Sequence, residues 1–526
     1  MSARENNNDI AGAFGTIRAT DIESRRGIRA RLLTLLAIVG PGLIVMVGDN
    51  DAGGVSTYAQ AGQNFGYSLL WTLPILIPVL MVNQEMVARL GAVSGLGHGR
   101  LIRERLGRRW GNVATGSILI LNFLILITEF IGISLSMTYF GISSGVSVPL
   151  AALTLFAMTA SGSFRRWERL MMVLVAFNFV IVPLILAAQP QWGSAVHGLT
   201  VPGIRGGATS DGLLLIISII GTTVAPWQLY FQQSNIVDKR ITPRWLNYER
   251  VDTFLGSIVV VISASVIIVV AAAGLSPHGS TTAYTDALGV ATGLAQHVGH
   301  GAGAMFAILL LNASIIGAAA VTLASSYALG DLSGSRQGLN SRLRDAKAFY
   351  GGFAVLLVVA ASVTLWPHAP LGLITLAVQA LCGLMLPVTT IFVLLLANDR
   401  DVLGPWTNTR WMNAVATVVI GALVVLSLTL MISTVFPDVN VHRVIIDLAV
   451  VVGGVLVIVV PWAFVHSGPA PHYDIDRADW RMPRLALVHP LTPTRGRQIL
   501  LRAVALYLGL AGLMLLWRVI EMASGA

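Results

Sequence analysis

Charge is scarce in this sequence. Only 11% of its 526 residues are Asp, Glu, Lys or Arg, whereas a soluble domain carries roughly 25%. Hydrophobic residues make up 55% of the chain, and its mean hydropathy is +0.76. So few charged side chains cannot cover the surface of a protein of this size in water. The composition therefore excludes an ordinary soluble protein and indicates an integral membrane protein whose partner is the lipid bilayer.

Cysteine is nearly absent as well. Cys382 is the single cysteine of the chain, so no disulfide can form within it. We interpret Cys382 as a small packing residue of a helix. The glycine pairs at 53–54 and 351–352 lack the rest of a phosphate loop, and the sequence has no evident zinc-ligand spacing or Ser/His/Asp set. We therefore expect neither an enzyme nor a resident cofactor.

What the chain does have is long apolar runs. A membrane-spanning helix needs about 20 apolar residues, and thirteen segments are candidates for such helices. They are 32–62, 67–91, 113–140, 147–162, 168–188, 211–235, 251–274, 302–329, 349–366, 370–397, 411–435, 444–465 and 499–520.

The positive charges lie on one side of these predicted spans. All but three of the 34 Lys and Arg residues fall in the N-terminal tail, residues 1–31, or in alternate loops on its side. The exceptions are Arg205, Arg443 and Arg518. Since cytoplasmic loops are enriched in Lys and Arg, we expect a multi-pass protein of the cell membrane with a cytoplasmic N-terminus. The net charge of +9 then reflects topology, and no nucleic-acid partner is expected.

Two of the apolar runs are interrupted by polar residues and glycine. Residues 47–54 read VGDNDAGG, and residues 222–227 read TTVAPW. Carboxylates within a membrane span are unfavourable unless they line a cavity or bind a ligand. Glycine and proline at these points favour unwound helices whose free carbonyls can also bind an ion. Two such breaks predict a transporter.

The breaks divide the chain into comparable parts. Spans 1–5, residues 32–190, and spans 6–10, residues 211–397, each begin with a broken helix. Because five spans are an odd number, the second set is inverted in the membrane relative to the first. We predict an all-α, LeuT-type 5+5 inverted repeat with 12–13 transmembrane helices. Residues 411–520 would be accessory helices, with a cytoplasmic linker at 467–498.

Several motifs resemble the natural resistance-associated macrophage protein (NRAMP) family over roughly residues 35–435. They are GPG at 40–42, DAGG at 51–54, ARLG at 88–91, IGTTVAPWQLY at 220–230, LMLP at 384–387 and the tract 398–413. The resemblance implies a divalent metal transporter with its ion between the two breaks.

The sequence departs from the family pattern at the ion site. The usual DPGN of the first span is DAGG at 51–54, and the usual MPH of the sixth span is APW at 225–227. A second family histidine falls at Gln232. Of an acidic pair in the third span, Glu129 is kept and the other position is Leu126. This combination resembles the NRAMP-related magnesium transporter branch. Loss of the methionine sulfur and of the asparagine would leave a wider, all-oxygen site, which suits a partly hydrated Mg²⁺.

We expect four residues to bind the metal. Asp51 would be the central ligand, although a carboxylate in this position could instead cap the following helix. Carbonyl oxygens of Gly48 and Thr222 would assist, unless the Thr222 hydroxyl only bonds back into its own helix. The resemblance implies that Gln379 approaches the ion, and its alternative role is a hydrogen bond between helices.

A second group of residues would line the site or the pathway. Asp49 could face the ion or cap the break, and Asn50 is expected to be structural. Glu129 is a buried acid that could equally anchor packing. Gly54 and Ala225 would make room for the ion. Gln228 and Gln232, spaced i, i+4 on one helix face, would line a water-filled pathway. The full set is Asp49, Asn50, Gly54, Ala225, Trp227, Gln228, Gln232 and Glu129.

We therefore predict a secondary transporter that imports Mg²⁺, and also Mn²⁺, by alternating access. Glutamine cannot relay protons as histidine can, so transport is expected to be uncoupled from protons. The first alternative is a proton-coupled Mn²⁺/Fe²⁺ transporter of the mainstream NRAMP type. Others are an organic-solute carrier of LeuT-type fold and a metal-sensing receptor.

Overall fold

The structure is a computed structural model of a helical chain. It describes residues 9–524 except 22, 24, 160–162, 208, 277–283, 334–346, 368, 437–438, 467–475, 489 and 492–493. The first eight residues of the predicted tail and the first part of the predicted linker thus lie outside the described residues.

The α-helices of the described chain are numbered in sequence order. They are α1 Ile28–Ile38, α2 Pro41–Gly48, α3 Ala52–Phe65, α4 Thr72–Ser94, α5 His98–Leu106, α6 Arg108–Tyr139, α7 Ser144–Thr159, α8 Phe164–Phe177, α9 Ile181–Ala188, α10 Trp192–Thr200, α11 Ser210–Thr223, α12 Pro226–Lys239, α13 Leu246–Gly274, α14 Ala287–His297, α15 His300–Ser333, α16 Lys347–Thr364, α17 Leu371–Ala397, α18 Arg400–Leu403, α19 Arg410–Val435, α20 Val441–His466 and α21 Arg495–Ser524. A two-stranded antiparallel hairpin, β1 Ile10–Ala11 and β2 Thr16–Ile17, precedes them.

Each of the thirteen predicted spans has a helical counterpart. In the described residues, ten helical segments are long and apolar enough to cross a bilayer, and the bent pair α1–α2 makes eleven. The other two predicted spans correspond to shorter apolar helices, Ser144–Thr159 and Tyr350–Thr364. Sequence reasoning missed four of these helices, α5, α10, α14 and α18, because they are short segments in loops between spans.

The first span is broken at the predicted place. Helix α2 ends at Gly48, and α3 begins at Ala52 with Asp51 as its N-cap, so residues 49–51 form the break. A second bend of 52° separates α1 from α2. The bend includes Gly40, whose φ of 151° is a backbone conformation that glycine adopts readily and other residues rarely adopt.

The sixth span is broken at a proline. Helix α11 ends at Thr223, and α12 begins at Pro226. Proline has no N–H to donate to a preceding turn, and it is tolerated at the first position of a helix for that reason. Carbonyl groups at the end of α11 are thereby freed from helix hydrogen bonds.

The packing of the spans has the symmetry expected of two inverted units. The first span contacts the seventh through α2, α3 and α13, and the sixth contacts the second through α11, α12 and α4. The third and eighth spans, α6 and α15, pack along each other. Exchanging the two sets of five converts the first of these contacts into the second and leaves the contact between the third and eighth spans unchanged. The boundaries of the two units, 32–190 and 211–397, stay a prediction.

Part of the predicted linker is docked against the helices. Residues 476–482, here called the strap, cross one end of the bundle. Asp479 accepts a hydrogen bond from Arg244 at 2.5 Å, and the Met482 N–H donates to the Val93 carbonyl at 3.2 Å. The guanidinium of Arg477 lies 4.0 Å from the ring centre of Trp406. These contacts connect the strap to segments that flank the second, sixth and eleventh spans.

Close approach between spans depends on glycine at Gly221. A Cβ built there would lie 2.2 Å from the carbonyl oxygen of Gln379 and 2.3 Å from the amide nitrogen of Gly383, both backbone atoms of α17. Such distances require the two helices to move apart. Gly221 thus sets the separation of α11 and α17 beside the break of the sixth span.

We predict that Gly221→Ala lowers the melting temperature of the purified protein, because overpacking costs about 1–3 kcal/mol. The control is Gly116→Ala in α6, where a Cβ would meet no atom within 4 Å. Since alanine is a better helix former than glycine by about 1 kcal/mol, this control should be neutral or stabilising. Equal melting temperatures for both variants would contradict the packing argument.

Candidate metal site

Asp51 is fixed at the start of α3. Its Oδ1 accepts a hydrogen bond from the Gly54 N–H at 2.7 Å, and the residue is only 2% exposed. The capping role that the sequence left open is therefore present in the structure for one carboxylate oxygen. The carboxyl group also lies within hydrogen-bonding range of Glu129. A backbone hydrogen bond from Gly53 also holds this carboxyl group in place.

Asp49 has fewer hydrogen-bond partners than Asp51. It is 0% exposed, and neither carboxylate oxygen has a hydrogen-bond partner among the described residues. Taking an isolated carboxylate out of water costs several kcal/mol unless a cation, a proton or hydrogen-bond donors compensate. The geometry thus favours the ion-facing alternative for Asp49 over the capping one.

Glu129 brings a third carboxyl group to the break. Its Oε2 accepts a hydrogen bond from the Ala52 N–H at 3.1 Å, while Oε1 has no partner in the described chain. Helix α15 passes close by, since a Cβ built on Gly317 would lie 2.6 Å from Oε2. Glu129 therefore anchors the start of α3 and still has a free oxygen, so it combines both roles that the sequence left open.

These acids do not form a complete metal cage. Among the described residues, no group of three or more His, Cys, Asp or Glu side chains is arranged to hold a metal ion. Any ion at the break must therefore take additional oxygen ligands from carbonyls, amides or water. Such mixed coordination with retained water is common for small hard dications.

Thr222 connects the two breaks. Its Oγ1 lies 3.5 Å from the carbonyl oxygen of Asp49, the acceptor assigned to this hydroxyl. The bond is long, and it crosses between spans instead of returning into the residue's own helix. Gly48 lies on the other side of the break, where a Cβ would be 3.5 Å from the Trp227 ring. Both residues whose carbonyl oxygens are predicted metal ligands thus lie in the break region.

Gln379 reaches the break from α17. A Cβ built on Gly53 would lie 1.7 Å from the Gln379 Nε2, so the amide occupies the space that a side chain at 53 would need. Nε2 has no hydrogen-bond partner in the described chain. The interhelical hydrogen bond considered for Gln379 is therefore not formed by this nitrogen. Rotating the amide by 180° would present its oxygen at the same position.

The widened site expected at Gly54 is not found in this conformation. A Cβ built there would lie 2.8 Å from the Asp49 carbonyl oxygen and 2.9 Å from the Thr222 Oγ1. Neighbouring atoms have closed around the glycine, so this part of the prediction is wrong for the present structure. Ala225 and Trp227 are also buried, at 2% and 0% exposure.

The remaining predicted residues are buried amides. Asn50 donates through Nδ2 to the Val260 carbonyl at 3.2 Å, as expected for a structural residue of the break. Gln228 accepts a hydrogen bond from Gln84 at 2.7 Å, and its Nε2 lies 3.4 Å from the freed Thr223 carbonyl. Gln232 donates to Thr253 at 3.0 Å. The path they were expected to line is closed here, since both glutamines are 0% exposed.

Sequence reasoning missed a hydrogen bond that holds the two breaks together. The hydroxyl groups of Tyr58 and Thr223 lie 2.7 Å apart, which connects α3 to the end of α11. Tyr58 follows Asp51 by two helical turns and so lies on the same face of the span. That spacing was a signal in the sequence.

Buried carboxylates at paired helix breaks, within a bundle of membrane-length helices, define a membrane transporter for cations. Comparison with known proteins assigns it to a family. Residues 42–433 match the family described as natural resistance-associated macrophage protein-like, and the chain belongs to it. The family resemblance inferred from the motifs is thereby confirmed.

Relatives agree with this assignment. The divalent metal cation transporter MntH of Xylella fastidiosa is 29% identical over 80% of this chain and 89% of its own length. MntH 1 of Pseudomonas aeruginosa is 30% identical over 76% of this chain and 92% of its own length. Both relatives are divalent metal cation transporters, and neither supports the magnesium branch expected from the motif departures.

A solved structure confirms the fold. The manganese transporter of Eremococcus coleocola superposes with a TM-score of 0.63 at 22% identity, covering 85% of this chain and 99% of its own. The predicted all-α, LeuT-type architecture is therefore confirmed.

We predict that Gly53→Ala reduces Mn²⁺ uptake into proteoliposomes by about tenfold or more, since displacing Gln379 by overpacking costs about 1–3 kcal/mol and about 1.4 kcal/mol is a factor of ten. The control is Gly454→Ala in α20, where a Cβ meets no atom within 4 Å. Wild-type uptake by the Gly53→Ala variant would show that Gln379 is not part of the metal site.

Proposed function

We propose that this protein carries divalent metal ions across the cell membrane by alternating access, with Mn²⁺ as its principal substrate. The observation that carries the proposal is the cluster of three buried carboxyl groups at the first break. Both oxygens of Asp49 and one of Glu129 lack partners in the described chain, and Asp51 lies between these residues in contact with Glu129. A dication would compensate this concentration of acidic groups, to which the described part of the chain brings no basic side chain.

Similarity to divalent metal cation transporters, and to a manganese transporter of known structure, supports Mn²⁺. Mg²⁺ is a second candidate on one specific observation. Ala225 stands at the N-cap of α12, where the family has methionine, so this position offers no sulfur. Soft ligands favour transition metals over Mg²⁺, and their loss weakens that preference. Transport of Mn²⁺ with weak exclusion of Mg²⁺ follows from both arguments.

Uncoupling from protons stays a prediction. Gln228 and Gln232 do not titrate, so this face of α12 cannot pass protons by the route that histidines would provide. The mainstream alternative, proton-coupled Mn²⁺/Fe²⁺ transport, requires another acid to carry the proton. The membrane potential would supply about 2.3 kcal/mol per charge per 100 mV, and about twice that for a dication. The cytoplasmic position of the N-terminus likewise rests on the Lys and Arg distribution alone.

The transport test uses purified protein in liposomes that contain a pH-sensitive dye. We expect Mn²⁺ uptake in the wild type and a strong loss in Asp51→Asn and Asp49→Asn, because each variant keeps the side-chain shape and removes a charge that faces the ion. Glu104→Gln is the control, since it makes a similar change at an exposed carboxylate of α5.

Four results would contradict parts of this proposal. Full uptake in both aspartate variants would refute a site at the break. Acidification of the lumen together with Mn²⁺ entry would establish proton coupling. Binding without flux would indicate a receptor, whereas uptake of organic solutes that survives Asp51→Asn would indicate an organic-solute carrier.

We predict that Ala225→Met increases the preference for Mn²⁺ over Mg²⁺ in competition uptake, because it adds a thioether beside the site. The matched control is Ala225→Leu, which adds similar volume without sulfur. Both variants should lose some total uptake through crowding, and only the methionine should change the ratio of the two ions. An unchanged ratio in Ala225→Met, or the same change in Ala225→Leu, would contradict the ligand argument.

A further inference from the structure

A second group of buried charges lies away from the break, between the first, fifth, sixth and seventh spans. It contains three carboxylates, Glu168, Glu249 and Asp252, and one ammonium group, Lys239, all at most 2% exposed. With every group ionised, the negative charges outnumber the positive one. The hydrogen bonds of each group identify where the excess negative charge lies.

All three N–H groups of the Lys239 ammonium donate to acceptors other than Glu249 and Asp252. Its ammonium group donates to Glu168 at 2.6 Å and to the carbonyl oxygens of Ile38 and Val39 at 2.6 and 3.1 Å. Three acceptors satisfy the three N–H groups of a lysine. The charge of Glu168 is thereby paired through Oε1, although its Oε2 has no hydrogen-bond partner in the described chain. Lys239 has no N–H left for another carboxylate.

Asp252 is compensated by backbone N–H groups. It accepts hydrogen bonds from Gly40, Gly42 and Leu43 at 3.1, 2.8 and 3.2 Å, at the start of α2. The N-terminus of a helix also carries a positive partial charge that stabilises an anion there. This carboxylate therefore holds the bend between α1 and α2 and needs no further partner.

Glu249 has no such compensation. Its Oε1 has one contact, the Nε2 of Gln232 at 3.4 Å, which is long beside the ordinary hydrogen-bond range. Its Oε2 has no partner among the described residues, and neither does the Oε1 of Gln232. A fully buried carboxylate oxygen and a fully buried amide oxygen are thus both unsatisfied on facing side chains. Such a pair is unfavourable unless a cation or a proton joins it.

Glu249 lies on the helix that contacts the first break, on the predicted cytoplasmic side of that break. Asn50 at the first break bonds to the Val260 carbonyl of α13. Glu249 precedes Val260 by about three turns of that helix, which is about 16 Å along its axis. Gln228 and Gln232 lie one turn apart on α12 and lead from the second break toward Glu249. The group lies on the side that the Lys and Arg distribution assigns to the cytoplasm.

We propose that Glu249 and Gln232 form a second binding position for the transported dication, occupied after it leaves Asp51 on the way to the cytoplasm. The inference rests on the proposed transport function. Rotation of the Gln232 amide would turn its oxygen toward Glu249 and Thr253, so carboxylate, amide and hydroxyl oxygens would surround the ion. Water would complete the coordination.

The test measures Mn²⁺ binding by equilibrium dialysis with the purified full-length chain. We expect wild-type protein to hold Mn²⁺ at two classes of site. Asp51→Ala should remove one class, Glu249→Gln should remove the other, and the double variant should remove both. Glu104→Gln, a similar change at an exposed carboxylate, should keep both.

Gln232→Leu serves as a second variant if Glu249→Gln does not fold, since it removes the amide oxygen and keeps the acid. Weakened second-class binding in Gln232→Leu would support the proposal. Unchanged Mn²⁺ stoichiometry in every folded variant at 249 and 232 would overturn it and indicate that Glu249 holds a proton.

Uptake measured on the same preparations separates this proposal from the transport function. If Mn²⁺ enters liposomes with wild type and Glu249→Gln alike, and binding is also unchanged, the second position is refuted while transport stands. If Glu249→Gln removes one class of bound Mn²⁺ and wild type transports no metal, the second position stands and the transport function is refuted.

Discussion

Acidic side chains that the bundle buries without partners are the constraint on which this structure depends. Asp49 is enclosed, with neither oxygen paired to any described residue, and the neighbouring Asp51 contacts Glu129. A folded protein keeps such an arrangement only if something compensates it. Under the proposed function, a transported cation performs that role.

The breaks are built from ordinary backbone chemistry. Asp51 caps the helix that follows the first break, and proline begins the helix that follows the second. The Tyr58–Thr223 hydrogen bond then connects the two. These contacts enclose the first break, where Asp51 is only 2% exposed. Under the proposed alternating access, opening to either side would separate contacts of this kind.

Much of the fold could be predicted from the sequence, because apolar run length and the two interruptions are properties of the chain alone. The bend at Gly40, the helices in the loops and the docked strap could not, since each depends on tertiary contacts. Helix α5, for example, is anchored by Arg105, which bonds to the distant Asp399.

The site was predicted less completely. Asp51, Thr222 and Gln379 do lie at the break, but the expected space at Gly54 is filled by the Asp49 carbonyl oxygen and the Thr222 hydroxyl. Spacing in a sequence indicates which helix face a residue occupies and not how far neighbouring helices close around it. For the same reason, the lack of hydrogen-bond partners at Asp49 and at Glu249 Oε2 became evident only from the structure around them.

The most direct measurement of the central claim is an anomalous diffraction map of crystals grown with Mn²⁺. The account predicts a peak at the break, in contact with a carboxylate oxygen of Asp51 or Asp49. A well-ordered Mn²⁺ elsewhere in the bundle, with the break empty, would contradict it.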